Sequence, residues 1–500
     1  MEPVDLLVVG GGINGAGVAR DAAGRGLSVI LAEKDDLAEG TSSRSGKYIH
    51  GGLRYLEYYE FRLVREALIE REVVLAAAPQ LASPLRLVLP HSPEQRPRWL
   101  IRLGLFLYDT LGGRKRIPAT EALDLRRAAE GAPLRAAFAK GFAYYDVWCD
   151  DARLVVLNAV DAAARGAKIL TRTACVSARR EQGLWRVVLR DSRTGQERTV
   201  TARAIFNTAG PWVEQVIGQV AGLNARHHVR LVKGSHIILK RWWQGDHGYV
   251  LQNTDRRIIF VNPYLDDLAL VGTTDIPFEG RPEDVACTGE EIGYLLGILN
   301  RYFSQTLGPE DVLSTYAGVR PLFDDDSAKS ASAVTRDYTF ELDGGDGRAP
   351  LLSAFGGKLT TYRKLAEHGL ERLAPHLPGM AAAWTSATPL PGGDMPGADF
   401  AGFAQSFAAA RPWLPPALAA RLAEAYGTLA EDMLAGARDL GALGQHFGAG
   451  LYEAEVRWLM QREWAQSAED ILQRRTKLGL VMRPAEVAAL ADWLALEQAA

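Results

Sequence analysis

"VDLLVVGGGINGAGVARDAAGRGLSVILAEK", residues 4–34, decides the fold. It reads as strand, glycine turn, helix, turn and strand. Gly10, Gly12 and Gly15 fit G-x-G-x-x-G, with apolar Leu6 to Val9 ahead of them. Ala16, Val18, Ala19, Ala22 and Ala23 give the helix a small-residue face that can pack closely on a sheet. The second strand, Ser28 to Ala32, ends at Glu33, where a carboxylate accepts hydrogen bonds from a ribose hydroxyl. With strand, helix and acid in register, the block implies a dinucleotide site. It does not choose between NAD and FAD.

Two later segments favour FAD. "TSSRSGKYIHGGLRYLEYYEF" (41–61) follows the second strand directly, and a simple NAD domain has no evident use for so polar and glycine-rich an excursion. "ARAIFNTAGPWVEQVIG" (202–218) gives another apolar strand, Ala204 to Phe206, ending in Thr208-Ala209-Gly210, with Pro211 placed to start a helix. A strand that returns to the sheet after a long insertion is the layout of large flavoproteins.

A third glycine turn lies in "SAFGGKLTTYRKLAEHGLERL" (353–373), where the run Leu351, Leu352, Ala354, Phe355 meets Gly356-Gly357-Lys358 and a helical pattern starts at Thr360 or Thr361. It is not a P-loop, because Leu352 and Leu359 stand where G-x-x-x-x-G-K-[ST] needs Gly and Ser/Thr. A turn that a ligand can approach closely remains, before a helix N-terminus that favours negative charge.

The whole chain sets the bounds. Its 500 residues suit two or three domains, and a formal net charge of −3 argues against a general nucleic-acid binder. Cys149, Cys175 and Cys287 lie far apart with no CxxC pair, which fits a reducing compartment, packed thiols, and no zinc site. The first residues enter an apolar run without a basic leader, and no segment approaches the roughly 20 apolar residues of a spanning helix. The expectation is a protein that is soluble or peripherally attached. There is no internal repeat, although residues 380–440 are alanine-rich.

Several blocks together carry a closer likeness. "GGGINGAG", "TSSRSGKYIHGGLRYLE", "NTAGPWV", "LVKGSH", "VGTTD", "GVRPL", "TRDY" and "FGGKLTTYRKLAEH" make the chain resemble the respiratory FAD-dependent glycerol-3-phosphate dehydrogenases, from about Asp5 to the C-terminal helices. The resemblance implies an α/β + α architecture. A discontinuous Rossmann-like FAD-binding domain would cover 1–80, 145–225 and 315–388, an antiparallel-sheet substrate domain 81–144 and 226–314, and a helical C-terminal domain 389–500. At Arg44 and Gly46 the chain departs from the small or hydroxyl residues expected in that family, which bears on local flavin contacts.

The activity so implied is FAD-dependent oxidation of sn-glycerol 3-phosphate to dihydroxyacetone phosphate. A hydride leaves C2 for flavin N5, and electrons pass on to a membrane quinone. Flavin contacts would come from Gly10, Gly12, Ile13, Asn14, Gly15, Glu33, Ser42, Ser43 and Lys47. Further along they would come from Val176, Ala209, Gly210, Trp212, Gly318, Gly357, Leu359 and Thr360. No metal is implied.

A phosphate near charge −2 calls for Arg and Lys, and the candidates are Arg54 with Tyr55, Arg336 and Lys358. Arg320 would stabilise developing negative charge beside the substrate hydroxyl. His236 and His50 are the two plausible bases, His236 slightly preferred, whereas His91, His247 and His446 read as structural. The Gly356-Gly357-Lys358 turn would face the isoalloxazine ring, with Lys358 toward the substrate phosphate.

Residues 229–275 alternate apolar and polar in short runs, the pattern of antiparallel strands with one packed face. "RLVVLNAVDAAARGAKIL" (153–170) reads as a helix and a strand that rejoin the FAD sheet. "PRWLIRLGLFLYDTLGGRKR" (97–116) puts Arg98, Arg102 and Asp109 on one narrow helical face among apolar residues, followed by Arg114-Lys115-Arg116. Such a helix can lie in a membrane interface or pack into a core. "TPLPGG" (388–393) reads as a linker. The helices beyond it form a lid, a packing module or a dimer surface, so a homodimer is compatible with the reading.

The expected location is cytoplasmic, peripheral on the inner face of the cytoplasmic membrane, with no nucleic-acid partner. The competing readings are a glycerol-3-phosphate oxidase using O2, a catalytically silent flavin-binding membrane protein and, less favoured, an NAD-dependent dehydrogenase.

Overall fold

The computed structural model describes residues 3–113, 116–255, 257–324, 337–345 and 347–499. Arg114, Lys115 and Arg336, named above, lie outside them, as does the side chain of Arg54.

The opening block folds as its pattern dictates. Strand β1 (Val4–Val9) leads through the glycine turn into helix α1 (Ile13–Gly24) and on to strand β2 (Val29–Ala32). β1 runs parallel to β2 on one side and to the strand Glu197–Asn207 on the other. Arg348–Gly356 continues the sheet in parallel beyond 197–207, and Lys168–Leu170 continues it beyond β2. Two further hairpin strands, Thr173–Glu181 and Leu184–Asp191, are attached antiparallel through 197–207.

The small-residue face of α1 makes close packing possible. A Cβ added at Gly17 would lie 2.7 Å from the Tyr362 ring, and one at Gly24 would run into the Trp384 indole at 2.1 Å. α1 is thereby wedged between the sheet and the helices Asp151–Ala164 and Tyr362–Leu373.

A second, ten-stranded sheet is largely antiparallel. Its long strand His228–Lys240 pairs with Leu268–Gly272 on one side and Val312–Asp324 on the other. Residues 315–324, grouped by sequence with the FAD domain, therefore hydrogen-bond into this sheet. Extended pairing with a thirteen-residue neighbour outweighs the chain's later return to the first sheet at 348–356. Ala82–His91 and Lys140–Cys149 extend the sheet toward its other end, beyond Gly248–Gln252, and the helix Gly289–Tyr302 covers one face with Leu295, Leu299 and Tyr302 in its core.

Beyond residue 399 the chain is mainly helical and has its own core around Phe407, Leu422, Tyr426, Leu459, Leu472 and Leu490. The 388–393 linker is firmly seated: Arg20 donates to the carbonyls of Thr388 (3.1 Å) and Pro389 (3.2 Å), and Leu390 is buried.

Candidate active site

The site is set by topology. In the parallel sheet Val9 stands opposite both Ala32 and Asn207, so these strands end at one edge. Arg348–Gly356 ends there too, since Ser353 is the register partner of Asn207. The turns leaving those ends are Gly10–Gly12, the loop from Glu33, Thr208–Gly210 and Gly356–Lys358. Four turns thus converge at the carboxyl edge, where open α/β sheets bind ligands.

Each turn is shaped for close backbone approach. Gly10 has φ +107°, and its added Cβ would strike the Thr208 carbonyl oxygen at 2.8 Å; a Cβ at Gly15 would fall 1.8 Å from the Gly10 oxygen. Gly12 caps α1 in extended conformation, and the Ile13 N–H donates to Ser42 Oγ at 3.0 Å. Gly356 and Gly357 take φ +78° and +98°, which side chains rarely adopt.

These turns open into one cavity of about 1870 Å³, well above a typical single-ligand pocket of roughly 300–1,000 Å³. It has room for a dinucleotide and a small substrate together. At one end Glu33 accepts from the N–H groups of Gly11 (2.5 Å) and Asp35 (2.8 Å), leaving lone pairs for ribose hydroxyls. Burial of this carboxyl pushes its pKa up to about 7 against those two hydrogen bonds. Nearby, Trp212 Nε1 donates to Glu283 at 2.7 Å and the Lys34 ammonium sits 4.5 Å from the Trp212 ring centre. A loop from the second sheet is thereby clasped over the nucleotide end.

The other end collects the candidates for chemistry. His236 projects from 228–240, opposite Gly272 on one side and Tyr316 on the other. Its ring stacks on Tyr316 at 4.7 Å and 18°. Gly272 presses from the other strand so closely that a Cβ there would stand 2.1 Å from His236 Cδ2. The imidazole is buried, lines the cavity, and neither ring nitrogen has a hydrogen-bond partner among the described residues. Burial pulls its pKa down to about 3, with the Lys47 and Arg320 charges adding to the effect. It is a neutral imidazole facing the cavity.

Arg320 lines the same space and is oriented by the Thr274 carbonyl (2.8 Å) and Asp275 (3.2 Å). The Lys358 ammonium lies 3.9 Å from the centre of the Tyr55 ring, so two of the expected phosphate-binding residues are neighbours. The backbone N–H of His50 meets the Thr360 hydroxyl at 3.1 Å, which ties the 41–52 excursion to the third turn.

The remaining sequence candidates divide clearly. Ile13, Asn14, Ser42, Val176, Ala209 and Gly210 line the cavity, as do Trp212, Gly318, Gly357, Leu359 and Thr360. Gly15, Ser43 and Lys47 stand behind the wall. The Lys47 ammonium is buried against Asp151 Oδ1 (2.7 Å) and the Ser43 carbonyl (3.3 Å). Burial pulls its pKa down, but Asp151 more than compensates and leaves it well above the usual lysine value.

Sequence reasoning missed Tyr316, Asp275 and Gly272, which orient His236 and Arg320. Gly272 and Asp275 sat in "VGTTD", a quoted block whose individual positions carried no role. Gly46, noted as a departure, faces the imidazole: its added Cβ would lie 3.7 Å from His236 Nε2.

Glycine cradle, ribose acceptor, helix N-terminus and cavity volume fit FAD. Comparison with known proteins agrees. Residues 5–363 match the model of the FAD dependent oxidoreductase family, and 383–497 that of the C-terminal domain of alpha-glycerophosphate oxidase. The chain is 60% identical to a D-erythritol 1-phosphate dehydrogenase of Brucella abortus, covering 98% of each. It is 52% identical to a glycerol-3-phosphate dehydrogenase of Pseudomonas aeruginosa, covering 99% of this chain and 96% of that one. The crystal structure of a glycerol-3-phosphate dehydrogenase from Bacillus halodurans complexed with FAD superposes with a TM-score of 0.78 at 29% identity, over 99% of this chain and 91% of that one. The chain belongs to the FAD-dependent oxidoreductase family and carries the C-terminal domain of alpha-glycerophosphate oxidase.

Proposed function

We propose that the enzyme oxidises the secondary hydroxyl of a small polyol phosphate, in the first instance sn-glycerol 3-phosphate to dihydroxyacetone phosphate, and passes the electrons to a membrane quinone. The observation that carries this reading is the neutral, unpartnered imidazole of His236 facing a cavity that also holds Arg320, Lys358 and Tyr55.

Bound FAD supplies the acceptor for the hydride that leaves the carbinol carbon. The protein's own groups do the rest. Lys358, held over Tyr55, takes the phosphate, with Arg54 and Arg336 as further cations in the proposal. His236, whose ring faces the cavity with both nitrogens free of protein partners among the described residues, accepts the hydroxyl proton. Arg320, fixed by Asp275, offsets the negative charge that grows on the oxygen as that proton leaves. His50 lies in the same cavity and is the second candidate for the base.

The quinone and membrane parts rest on a different surface. The helix Arg98–Leu111 buries Leu105 and Tyr108 but leaves Trp99 69% and Phe106 61% exposed, and Tyr59 nearby in the chain's fold is 80% exposed. Leu103 and Leu107 of that helix and Tyr59 also line the cavity, so its apolar mouth opens where these side chains emerge. No helix among the described residues is long and apolar enough to cross a membrane. A peripheral seat on the inner face of the cytoplasmic membrane, with the acceptor drawn from lipid, matches this arrangement. Direct reoxidation by O2 is the alternative, and a homodimer is compatible with it.

A second substrate, D-erythritol 1-phosphate, is favoured by the 60% identical relative and by the space that Gly46 leaves beside His236. Anaerobic reduction of the flavin by each phosphate in turn, followed by quinone or air, tests both choices. Reduction by neither would leave a flavin-binding protein without this activity.

A further inference from the structure

No described residue beyond Thr360 lines the cavity, yet the C-terminal domain is bolted to its wall from behind. The loop after β2 has two sides. Glu33, Lys34, Asp35 and Glu39 face the nucleotide end, whereas Asp36 and Leu37 are buried on the opposite side. Asp36 accepts from Arg474 Nε at 2.7 Å and from Arg475 Nη1 and Nη2 at 2.6 and 2.9 Å. Arg474 also reaches Glu39 at 2.7 Å. On the inner side the loop rests on the glycine turn, with Ala38 N–H donating to the Gly11 carbonyl at 3.1 Å.

A second bolt lies two residues further on. The Lys477 ammonium pairs with both carboxylate oxygens of Asp150 and donates to the Arg474 carbonyl at 3.1 Å. Asp150 caps the helix Asp151–Ala164, and the adjoining Asp151 holds Lys47 and the Ser45 hydroxyl, each at 2.7 Å. Arg44, Ser45 and Gly46 line the cavity near His236. Both bolts come from one short stretch, whose residues Asp470–Arg475 form a wide π-helical turn, a feature that clusters at functional sites.

We propose that the C-terminal domain is a cofactor clamp, in which Arg474, Arg475 and Lys477 are positioning residues. They act through Asp36 and the Asp150–Asp151 pair to hold the two walls of the FAD cavity. Linkage makes the effect reciprocal: bound FAD tightens the docking of the domain, and the docked domain slows release of FAD. The Asp36 pair is buried, so removing Arg475 strips that carboxylate of two of its three charge-assisted hydrogen bonds and loosens the wall that carries it.

The test measures FAD release from the full-length holoprotein, together with hydrogen exchange. Arg475→Met should speed FAD dissociation tenfold or more, with Arg475→Lys recovering part of the loss. Arg421→Met breaks the Arg421–Glu455 pair, which lies wholly inside the C-terminal domain, and should leave FAD dissociation at the parent rate. In the parent protein stripped of FAD, exchange in residues 463–477 should rise and readdition of FAD should restore protection. Dissociation within twofold of parent in Arg475→Met, or equal exchange with and without FAD, overturns the clamp. If Arg475→Met does not accumulate, Asp36→Asn carries the same kinetic test, and the exchange comparison needs no variant.

Discussion

Replacing His236 with leucine separates its catalytic use from its structural cost. The imidazole is buried with both nitrogens unpartnered among the described residues, a burden of roughly 1–3 kcal/mol. Part of that is offset by stacking on Tyr316, worth about 0.5–1.5 kcal/mol. Its pKa falls from 6.5 to about 3 on folding. The unfolded chain therefore binds a proton that the folded chain refuses, and this contribution to stability is lost as pH drops below 6.5. By about pH 5 the difference amounts to about 2 kcal/mol. His236→Leu should equal or slightly exceed the parent in thermal unfolding at neutral pH, exceed it increasingly toward pH 5, and keep FAD bound. Anaerobic stopped-flow reduction by substrate should slow by roughly 10²–10⁴-fold, the usual contribution of a positioned base. Gly272→Ala, which drives a methyl into the imidazole, should lower that rate without removing the residue. Parallel pH-stability curves for parent and variant, or reduction within twofold of parent, would refute the reasoning.

Three further outcomes follow from the same geometry. Lys358→Ala should raise the substrate KM roughly ten- to a hundredfold, the equivalent of one charge-assisted contact of about 1.5–3 kcal/mol, with FAD retained; steady-state kinetics and the flavin spectrum check it, and loss of FAD at unchanged KM would contradict the assignment. Leu103→Glu combined with Phe106→Glu should abolish co-sedimentation with anionic liposomes while leaving flavin reduction intact, because neither side chain is buried. Gly46→Ser should place atoms beside His236 and lower kcat/KM for D-erythritol 1-phosphate more than for glycerol 3-phosphate; equal losses in competition assays would remove Gly46 as a discriminator.

The nucleotide half of the site was legible because it is local. Gly10, Gly12, Gly15 and Glu33 fall within one strand-helix-strand unit whose spacing is dictated by the ligand. The third turn, Gly356-Gly357-Lys358, was legible as a turn, but that it shares an edge with β1 depends on strand order. The substrate half depends on register between distant strands. Nothing local in "VGTTD" says that Gly272 lies against His236, or that Tyr316 stacks on its other side. The Lys47 ammonium likewise finds its partner, Asp151, only through the fold. The role of residues beyond 400 was hidden for a related reason. Arg474 and Arg475 look like an ordinary basic pair until folding brings Asp36 to them.

The most direct measurement is the visible spectrum of the purified holoprotein under anaerobic conditions, before and after addition of glycerol 3-phosphate or D-erythritol 1-phosphate. Loss of the oxidised-flavin absorbance within the mixing time of an ordinary assay, and its return on adding quinone, is the predicted result. A yellow protein whose spectrum is unchanged by both phosphates would contradict the account.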